Sequence, residues 1–143
     1  MQNYMRLELA ALSENESFAR SAVAAFALPL SPSFSDLSDI KTAVSEAVTN
    51  CIVHAYKGGE GTIIIECKID KTPRGGILHI EVSDQGCGIE DVQLAMAPFY
   101  TTLENDERSG MGFTVMQTFS TFFKVESECG KGTRVIMQKA VGM

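Results

Sequence analysis

The sequence predicts an α+β fold, a two-layer sandwich in which one mixed, mostly antiparallel sheet is covered by about three helices. Segments with helical and with strand periodicity stand in separate blocks along the chain, which is typical of this class. Short glycine-containing turns separate neighbouring predicted strands, as in antiparallel hairpins. The length of 143 residues suits one compact domain, so we expect a single domain over residues 1–143.

The first elements are a predicted strand and a predicted helix. Over residues 5–9, apolar side chains alternate with charged ones, which indicates a strand. Residues 15–28 are expected to form an amphipathic helix that Pro29 ends. The apolar stripe of this helix is predicted to consist of Phe18, Ala22, Ala25 and Phe26.

A second predicted helix follows the Ser/Pro-rich loop over residues 31–35. Its apolar residues recur at intervals of three and four, and Gly58-Gly59 is expected to end it. The apolar positions are Leu37, Ile40, Val44, Ala47, Val48, Cys51, Ile52 and Ala55.

The second half of the chain is predicted to complete the sheet. Residues 62–69 and 78–83 are rich in β-branched residues and indicate two strands joined by a turn. The remaining predicted elements are, in order, a short helix near 90–97, a polar stretch over 98–109, a helix over 112–122 and a hairpin of strands 124–128 and 133–139.

Composition and charge restrict the class of function. With 45% hydrophobic and 21% charged residues, the composition is that of a soluble globular domain, and no apolar run is long enough for a membrane span. We therefore expect a cytoplasmic protein whose four cysteines are reduced. The net charge of −6 disfavours nucleic-acid and membrane binding and favours a protein partner together with a metal-bound nucleotide.

The second predicted helix carries a carboxylate and an amide one turn apart. Glu46 and Asn50 are spaced i, i+4 and therefore project from the same face. A carboxylate next to a magnesium-bound phosphate can accept a proton from an attacking hydroxyl. An amide oxygen is a suitable ligand for a hard cation. Taken alone, the pair is equally consistent with two solvated polar residues on an amphipathic helix.

The predicted strand 78–83 leads into a glycine loop, Asp84-Gln-Gly86-Cys-Gly88. A carboxylate held in a narrow pocket can accept a hydrogen bond from the exocyclic amine of adenine. Gly86 and Gly88 would let the backbone approach the base closely. The same pattern alone is also compatible with a simple turn after a strand.

A glycine pair, Gly110 and Gly112, precedes the last predicted helix. The N-terminus of a helix binds phosphate through its free N–H groups and its partial positive charge. The long polar stretch before it would cover the phosphates as a mobile lid. The lid residues expected to contact phosphate are Thr101, Thr102, Arg108 and Ser109.

Together, these segments resemble the N, G1 and G2 boxes of the GHKL superfamily, which includes gyrase B, MutL and the sensor histidine kinases. The similarity covers about residues 36–137 and implies the Bergerat-type sandwich and binding of ATP with Mg²⁺. The resemblance implies that Glu46 is the catalytic base and Asn50 the magnesium ligand. It implies that Asp84 accepts the adenine amine, that Gly88 lines the base pocket and that Thr133 contacts adenine through water. Gly110 and Gly112 are implied to bind phosphate.

Three longer segments are similar to the anti-sigma-F factors, the serine kinases of spore-forming bacteria: residues 15–20, 44–50 and 107–113. That family binds a sigma factor as a homodimer and phosphorylates a serine of a small anti-anti-sigma protein. The resemblance implies that Arg20 and Glu16 lie on the surface that both partners share. Without it, Arg20 is simply a solvated helix residue.

Two alternatives to a kinase remain open at this stage. Related lids often carry a lysine after their paired threonines, whereas Leu103 stands at that position here. This departure keeps open a nucleotide-gated sigma-binding module without kinase activity, although the intact Glu46 speaks against it. An ATP-hydrolysing fragment of a larger machine is the other alternative.

For the homodimer, the first strand, residues 5–9, is the expected contact edge.

Overall fold

Five strands form one sheet in the computed structural model, which describes residues 2–89 and 112–143. The strands are β1 (Asn3–Ala10), β2 (Thr62–Lys71), β3 (Gly76–Asp84), β4 (Phe122–Glu128) and β5 (Gly132–Val141). Their order in the sheet is β1-β2-β3-β5-β4. All four pairings are antiparallel, so the described part of the sheet contains no parallel pair and is more regular than the mixed sheet we expected.

Three α-helices lie in the described part of the chain. They are α1 (Asn15–Phe26), α2 (Phe34–Asn50) and α3 (Gly112–Thr118). A 3₁₀ turn, Leu28–Leu30, follows α1, and a π-helical segment, Cys51–Ala55, continues α2 directly. A capping box begins α2, because the Ser33 hydroxyl accepts the Asp36 amide and the Asp36 carboxylate accepts the Ser33 amide.

The core lies between the helices and one face of the sheet. Alternate residues of the central strands are buried, as the period of a strand requires, and they pack against α1 and α2. The other face of the sheet is polar and carries ion pairs such as Arg134–Glu81. The fully buried side chains of the central strands include Ile63, Ile65, Leu78 and Val82.

The apolar stripe predicted for α1 was right for Phe26, which packs against the core, and wrong for Phe18 and Ala25, which are exposed. The buried face consists of small residues, Ala19, Val23, Ala24 and Ala27, whereas the Phe18 side chain is 54% exposed. Small side chains at i, i+4 and i+8 allow α1 to pack closely on α2, and an aromatic ring would hold the helices apart. The prediction gave too much weight to the aromatic side chains.

The last helix is shorter than predicted, and the strand after it begins earlier. Helix α3 ends at Thr118, and Phe122, which we expected on the helix, is the first residue of β4. Met116 of α3 is fully buried, as its place in the apolar pattern indicated. The short helix near 90–97 and the polar stretch over 98–109 lie outside the described residues.

Candidate functional site

Three distant parts of the chain meet at one end of the sheet: the end of α2, the end of β3 and the beginning of β5. Asp84 is directly opposite Thr133 in the β3–β5 ladder. The Asp84 side chain is buried, with 8% of the residue exposed, and it is the one buried charged residue in the described part of the chain. A buried carboxylate is costly unless it is hydrogen-bonded, and such groups often mark functional sites.

Asp84 is held by two backbone amides from two segments, the glycine loop and β5. Its Oδ1 accepts the Gly86 amide at 2.9 Å and the Thr133 amide at 3.2 Å. Burial raises the pKa of Asp84, and the hydrogen bonds that it accepts, foremost from the Gly86 amide, oppose that rise only in part. The result is an acceptor in a fixed orientation at the edge of the core.

Helix α2 carries Glu46 and Asn50 near its C-terminal end, just before the π segment. Both residues are half-buried, and they flank the buried Ala47 and Val48. Their i, i+4 spacing puts them on one face of the helix. The π segment that directly continues α2 accepts a hydrogen bond from the Cys87 amide of the glycine loop, so the candidate base and the candidate magnesium ligand lie on the helix that adjoins the loop after Asp84.

The donor set in this part of the protein suits magnesium only together with a nucleotide. In the described ranges, no three His, Cys, Asp or Glu side chains could hold a metal ion together. Mg²⁺ is commonly bound through one or two protein oxygens, with phosphate and water oxygens completing its shell. An amide oxygen from Asn50 fits that pattern.

At the end of α2 the backbone hydrogen bonding changes from α-helical to π-helical over Cys51–Ala55. The Tyr56 amide donates to the Cys51 carbonyl at 3.0 Å, a bond across five residues instead of four. The Ala55 carbonyl accepts the Cys87 amide of the glycine loop at 3.0 Å. The π segment thereby holds the loop that follows Asp84. π turns are frequent at functional sites, but the sequence pattern gave no indication of this one.

The two loop glycines are required by the protein's own backbone. A Cβ atom on Gly86 would lie 2.4 Å from the Ala55 carbonyl oxygen, and one on Gly88 would lie 2.2 Å from that of Glu128. Gly88 also has a φ of +75°, which other residues rarely adopt. The loop is therefore clamped between the π segment and the β4–β5 turn. This is a different steric reason from the close approach to a base that we expected.

Ser127 is a site residue that the sequence analysis missed. Its hydroxyl oxygen lies 2.8 Å from the Ile89 amide, 2.9 Å from the Gly132 carbonyl and 2.8 Å from the Thr133 hydroxyl. It thus connects the glycine loop with the beginning of β5. No predicted site residue adjoins Ser127 in the sequence, so no local pattern marks it.

Part of the predicted phosphate site lies outside the described residues. Gly112 is the first residue of α3, and α3 packs against α2. The other predicted phosphate contacts fall in the undescribed segment: Thr101, Thr102, Arg108, Ser109 and Gly110.

Arg20 and Glu16 lie on α1, apart from Asp84, and both are hydrogen-bonded to α2. The Arg20 guanidinium is 3.3 Å from the Ser45 hydroxyl and 3.5 Å from the Glu16 carboxylate. The Thr49 hydroxyl donates to Glu16 at 3.1 Å. Ser45 and Thr49 directly precede Glu46 and Asn50, so the surface of α1 is connected to the helix of the candidate nucleotide site.

All four cysteines lie in the described residues and are free, Cys51 and Cys67 in the core and Cys87 and Cys129 at the surface. Within the described ranges, no helix has the length and apolar character needed to cross a membrane.

The sequence is similar to curated proteins over nearly its whole length. An anti-sigma F factor of Thermoanaerobacter sp. is 54% identical over 140 residues, which cover 98% of this chain and 95% of the relative. The anti-sigma F factor of Clostridium kluyveri is 53% identical, with 96% and 94% covered. That of Clostridium acetobutylicum is 51% identical, with 97% and 94% covered.

Solved structures show the same fold at low sequence identity. The RsbU and RsbW domains of a Mycobacterium tuberculosis protein align with a TM-score of 0.62 at 15% identity, covering 97% of this chain and 32% of that one. A mycobacterial sensor histidine kinase, MprB, aligns with a TM-score of 0.53 at 15% identity, covering 96% and 98%.

A model of the histidine kinase-like ATPase domain matches residues 9–139, which agrees with the antiparallel sheet and its covering helices. With this match and with relatives above 50% identity over nearly full length, the chain belongs to the anti-sigma F factor family of histidine kinase-like ATPase domains.

Proposed function

We propose that this protein is an anti-sigma factor that inhibits a sporulation sigma factor of the sigma-F type and uses Mg²⁺–ATP to phosphorylate a serine of a small anti-anti-sigma protein. The observation that carries the proposal is the buried Asp84 carboxylate, which two backbone amides hold at the end of β3, and whose following loop is hydrogen-bonded to the π segment that continues the helix of Glu46 and Asn50. The names of the relatives support the choice of partners.

ATP would be selected through its base. Asp84 is held as an acceptor by Gly86 and Thr133, and the exocyclic amine of adenine is a donor of matching polarity. Guanine carries a carbonyl at the corresponding position, which would place two acceptors against each other. Gly88 and Thr133 would line the base. Gly112, the first residue of α3, would lie toward the phosphates.

Phosphoryl transfer would use the two polar residues of α2. The serine oxygen of the partner forms a bond to the γ-phosphorus while the bond to the ADP oxygen breaks, and Glu46 accepts the hydroxyl proton. Asn50 would contribute its amide oxygen to the magnesium ion, which offsets the negative charge on the phosphates. Most of the catalysis is positioning, so the rigid attachment of both residues to one helix supports this role.

The partner surface would include Glu16 and Arg20 of α1. Arg20 is partly exposed, with 38% of its side chain accessible, which suits a contact residue.

We propose that the chain acts in the cytoplasm, where a sigma factor would be met, and that it forms a homodimer through β1. The position of β1 at one edge of the sheet supports that choice, since its outer N–H and C=O groups can pair with another strand.

The decisive experiment incubates the purified protein with Mg²⁺–ATP and the small anti-anti-sigma protein of the same organism, and measures the intact mass of that partner. We expect the gain of one phosphate on a serine, its loss with Glu46→Gln, and unchanged ATP binding by that variant. Glu60→Gln, at an exposed loop position, is the matched control and should leave transfer unchanged.

The same experiment tests the main alternative, a nucleotide-gated sigma-binding module without kinase activity, which the leucine at position 103 keeps open. That alternative requires that the partner gain no phosphate while ATP is demonstrably bound. Transfer that persists in Glu46→Gln would instead remove Glu46 from the role of base. ATP turnover that does not depend on any protein substrate would indicate an ATPase fragment.

A further inference from the structure

The tyrosine that follows the π segment joins three parts of the chain beside the candidate pocket. Its phenol hydroxyl donates to the carbonyl of Thr62, the first residue of β2, at 2.6 Å. The same oxygen accepts the Gln85 amide at 2.8 Å. The backbone amide of Tyr56 donates to the Cys51 carbonyl at 3.0 Å. Tyr56 therefore connects the end of the site helix, the beginning of β2 and the residue directly after Asp84.

The ring of Tyr56 has a defined place against its own segment. It packs against the core, and a Cβ atom on Gly61 would lie 2.4 Å from the Cε1 and Cζ atoms of the ring. Gly61 thus leaves the space that the ring occupies. A phenol carries one O–H donor and can also accept a hydrogen bond, and Tyr56 uses both functions at once. The hydroxyl is therefore a bridge between β2 and the glycine loop.

The Gln85 amide belongs to the peptide unit that begins at the Asp84 carbonyl. Because this unit is planar, a hydrogen bond that fixes the direction of the Gln85 N–H also fixes the ψ torsion of Asp84. That torsion decides whether the Asp84 carboxylate reaches the Gly86 amide, two residues further along, which it accepts at 2.9 Å. Tyr56 therefore acts on the backbone that carries the carboxylate, while the Thr133 amide holds the carboxylate itself at 3.2 Å.

We infer that Tyr56 is a positioning residue for adenine recognition, whose hydroxyl holds the Asp84–Gln85 peptide unit so that the Asp84 carboxylate faces the exocyclic amine of the base. The inference rests on the proposed ATP site. It adds a residue outside the predicted site, and it connects base recognition to the helix that carries Glu46 and Asn50.

The competing explanation is that the Tyr56 hydroxyl only fastens the loop over residues 57–61 to β2. In that case its removal would lower the stability of the protein and affect all purine nucleotides equally. A positioning role instead affects the one contact that Asp84 makes with the base. Purine riboside triphosphate, which resembles ATP but lacks the exocyclic amine, separates the two explanations.

The experiment measures equilibrium binding of ATP and of purine riboside triphosphate, both with Mg²⁺, to the full chain and its variants. Tyr56→Phe keeps the ring over Gly61 and removes only the hydroxyl. It should weaken ATP binding about three- to tenfold, the range expected for one net hydrogen bond, and leave binding of the amine-free analogue unchanged. The matched control is Thr121→Val, which removes an exposed hydroxyl that donates to the Gln138 carbonyl at 2.7 Å. It should leave both affinities unchanged.

A second measurement follows the Gln85 amide directly, by hydrogen exchange without nucleotide. This amide should exchange faster in Tyr56→Phe than in the wild type or in Thr121→Val, because it loses its acceptor.

Each outcome assigns the cause of a failure. Equal losses for both nucleotides in Tyr56→Phe would show a purely structural role and overturn the inference, as would an unchanged preference for ATP or unchanged exchange of the Gln85 amide. A wild-type protein that binds both nucleotides equally would instead refute the adenine role of Asp84, and with it the basis of the proposed site.

Discussion

The Ser127 hydroxyl lies 2.8 Å from the hydroxyl of Thr133, directly across the β4–β5 ladder, and accepts the Ile89 amide at 2.8 Å. One side chain on an outer strand thus connects the residue that would contact adenine through water with the end of the glycine loop. The site around Asp84 is therefore supported from two sides, by the π segment and by Ser127.

Replacing Ser127 by alanine should loosen the glycine loop. The Ile89 amide would lose its acceptor, and we expect a loss of about 1–2 kcal/mol in the free energy of unfolding. Nucleotide affinity should also fall severalfold, because Thr133 loses a partner. Denaturant unfolding and nucleotide titration measure both effects. Ser120→Ala, which removes a hydroxyl bonded to the Met116 carbonyl, should spare nucleotide binding, and equal effects of the two variants would contradict the prediction.

A methyl group on Gly88 should disrupt the fold more than the same change at another left-handed glycine. Gly130 has a φ of +81°, and a Cβ there would have no neighbour within 4 Å. Gly130→Ala should therefore cost only the conformational term of about 1–2 kcal/mol. Gly88→Ala should cost clearly more, because its Cβ would lie 2.2 Å from the Glu128 carbonyl oxygen. Comparable unfolding midpoints for the two variants would show that the loop can move away from the β4–β5 turn.

The buried carboxylate should give stability a pH dependence of unusual sign. Burial raises the pKa of Asp84 above 3.8, although hydrogen bonds from Gly86, Cys51 and Thr133 lower it in part. The folded protein then binds this proton more tightly than the unfolded chain does. The contribution of Asp84 to the free energy of unfolding must therefore fall as the pH rises from 3.8 through the folded pKa. Asp84→Asn should remove that decline, so its stability relative to wild type should increase with pH.

Asp36 provides the matched control of opposite sign. Burial acts to raise its pKa, but hydrogen bonds from the Gly142 amide and from the Ser33 amide and hydroxyl outweigh burial, and the pKa is lowered. The contribution of Asp36 to the free energy of unfolding is fully present above pH 3.8, the ordinary pKa of the group. It is lost as the pH falls through the lowered pKa of the folded state. Urea unfolding between about pH 3 and 6 should show opposite trends for Asp36→Asn and Asp84→Asn. Parallel trends would contradict the assignment for Asp84.

Arg20→Ala should separate partner binding from stability. Its hydrogen bonds to Glu16 and Ser45 are long, at 3.5 and 3.3 Å, so we expect a change of only about 0.5 kcal/mol in the free energy of unfolding. Binding of the sigma factor should weaken more than tenfold if Arg20 is an interface anchor. Lys124→Ala removes a similar exposed ion pair, to Glu126 at 3.1 Å on the edge strand opposite β1, and should leave sigma binding unchanged. A large loss of stability in Arg20→Ala would indicate a structural role.

Much of the fold could be predicted from periodicity. The strand 62–69 is observed as Thr62–Lys71, and the strand 78–83 as Gly76–Asp84, because alternating burial leaves a clear two-residue pattern. Helix α2 was recognised by its apolar stripe and its glycine end. For the site, the sequence placed Asp84 at the end of a strand and Thr133 at the beginning of another, and the structure brings the two into contact.

The remaining features depend on contacts that no local pattern records. Phe18 was expected in the core because aromatic residues are usually buried, but the close packing of α1 on α2 through Ala19 and Val23 leaves no room for its ring. The π segment results from one bond across five residues, made where Ala55 meets the glycine loop. The role of Ser127 arises from its contacts with Ile89 and Thr133, which belong to other segments of the chain.

The hydrogen bond between Asp84 and the Thr133 amide joins residues 49 positions apart. One wall of the candidate pocket therefore does not exist in a growing chain until β5 has been synthesised and has paired with β3. Closing so long a loop costs entropy that local contacts cannot recover, so the pocket should be among the last features to form during folding. A nucleotide that bridges Asp84 and Thr133 would then favour completion of the sheet itself, and protection of the β5 amides from hydrogen exchange would rise with nucleotide concentration.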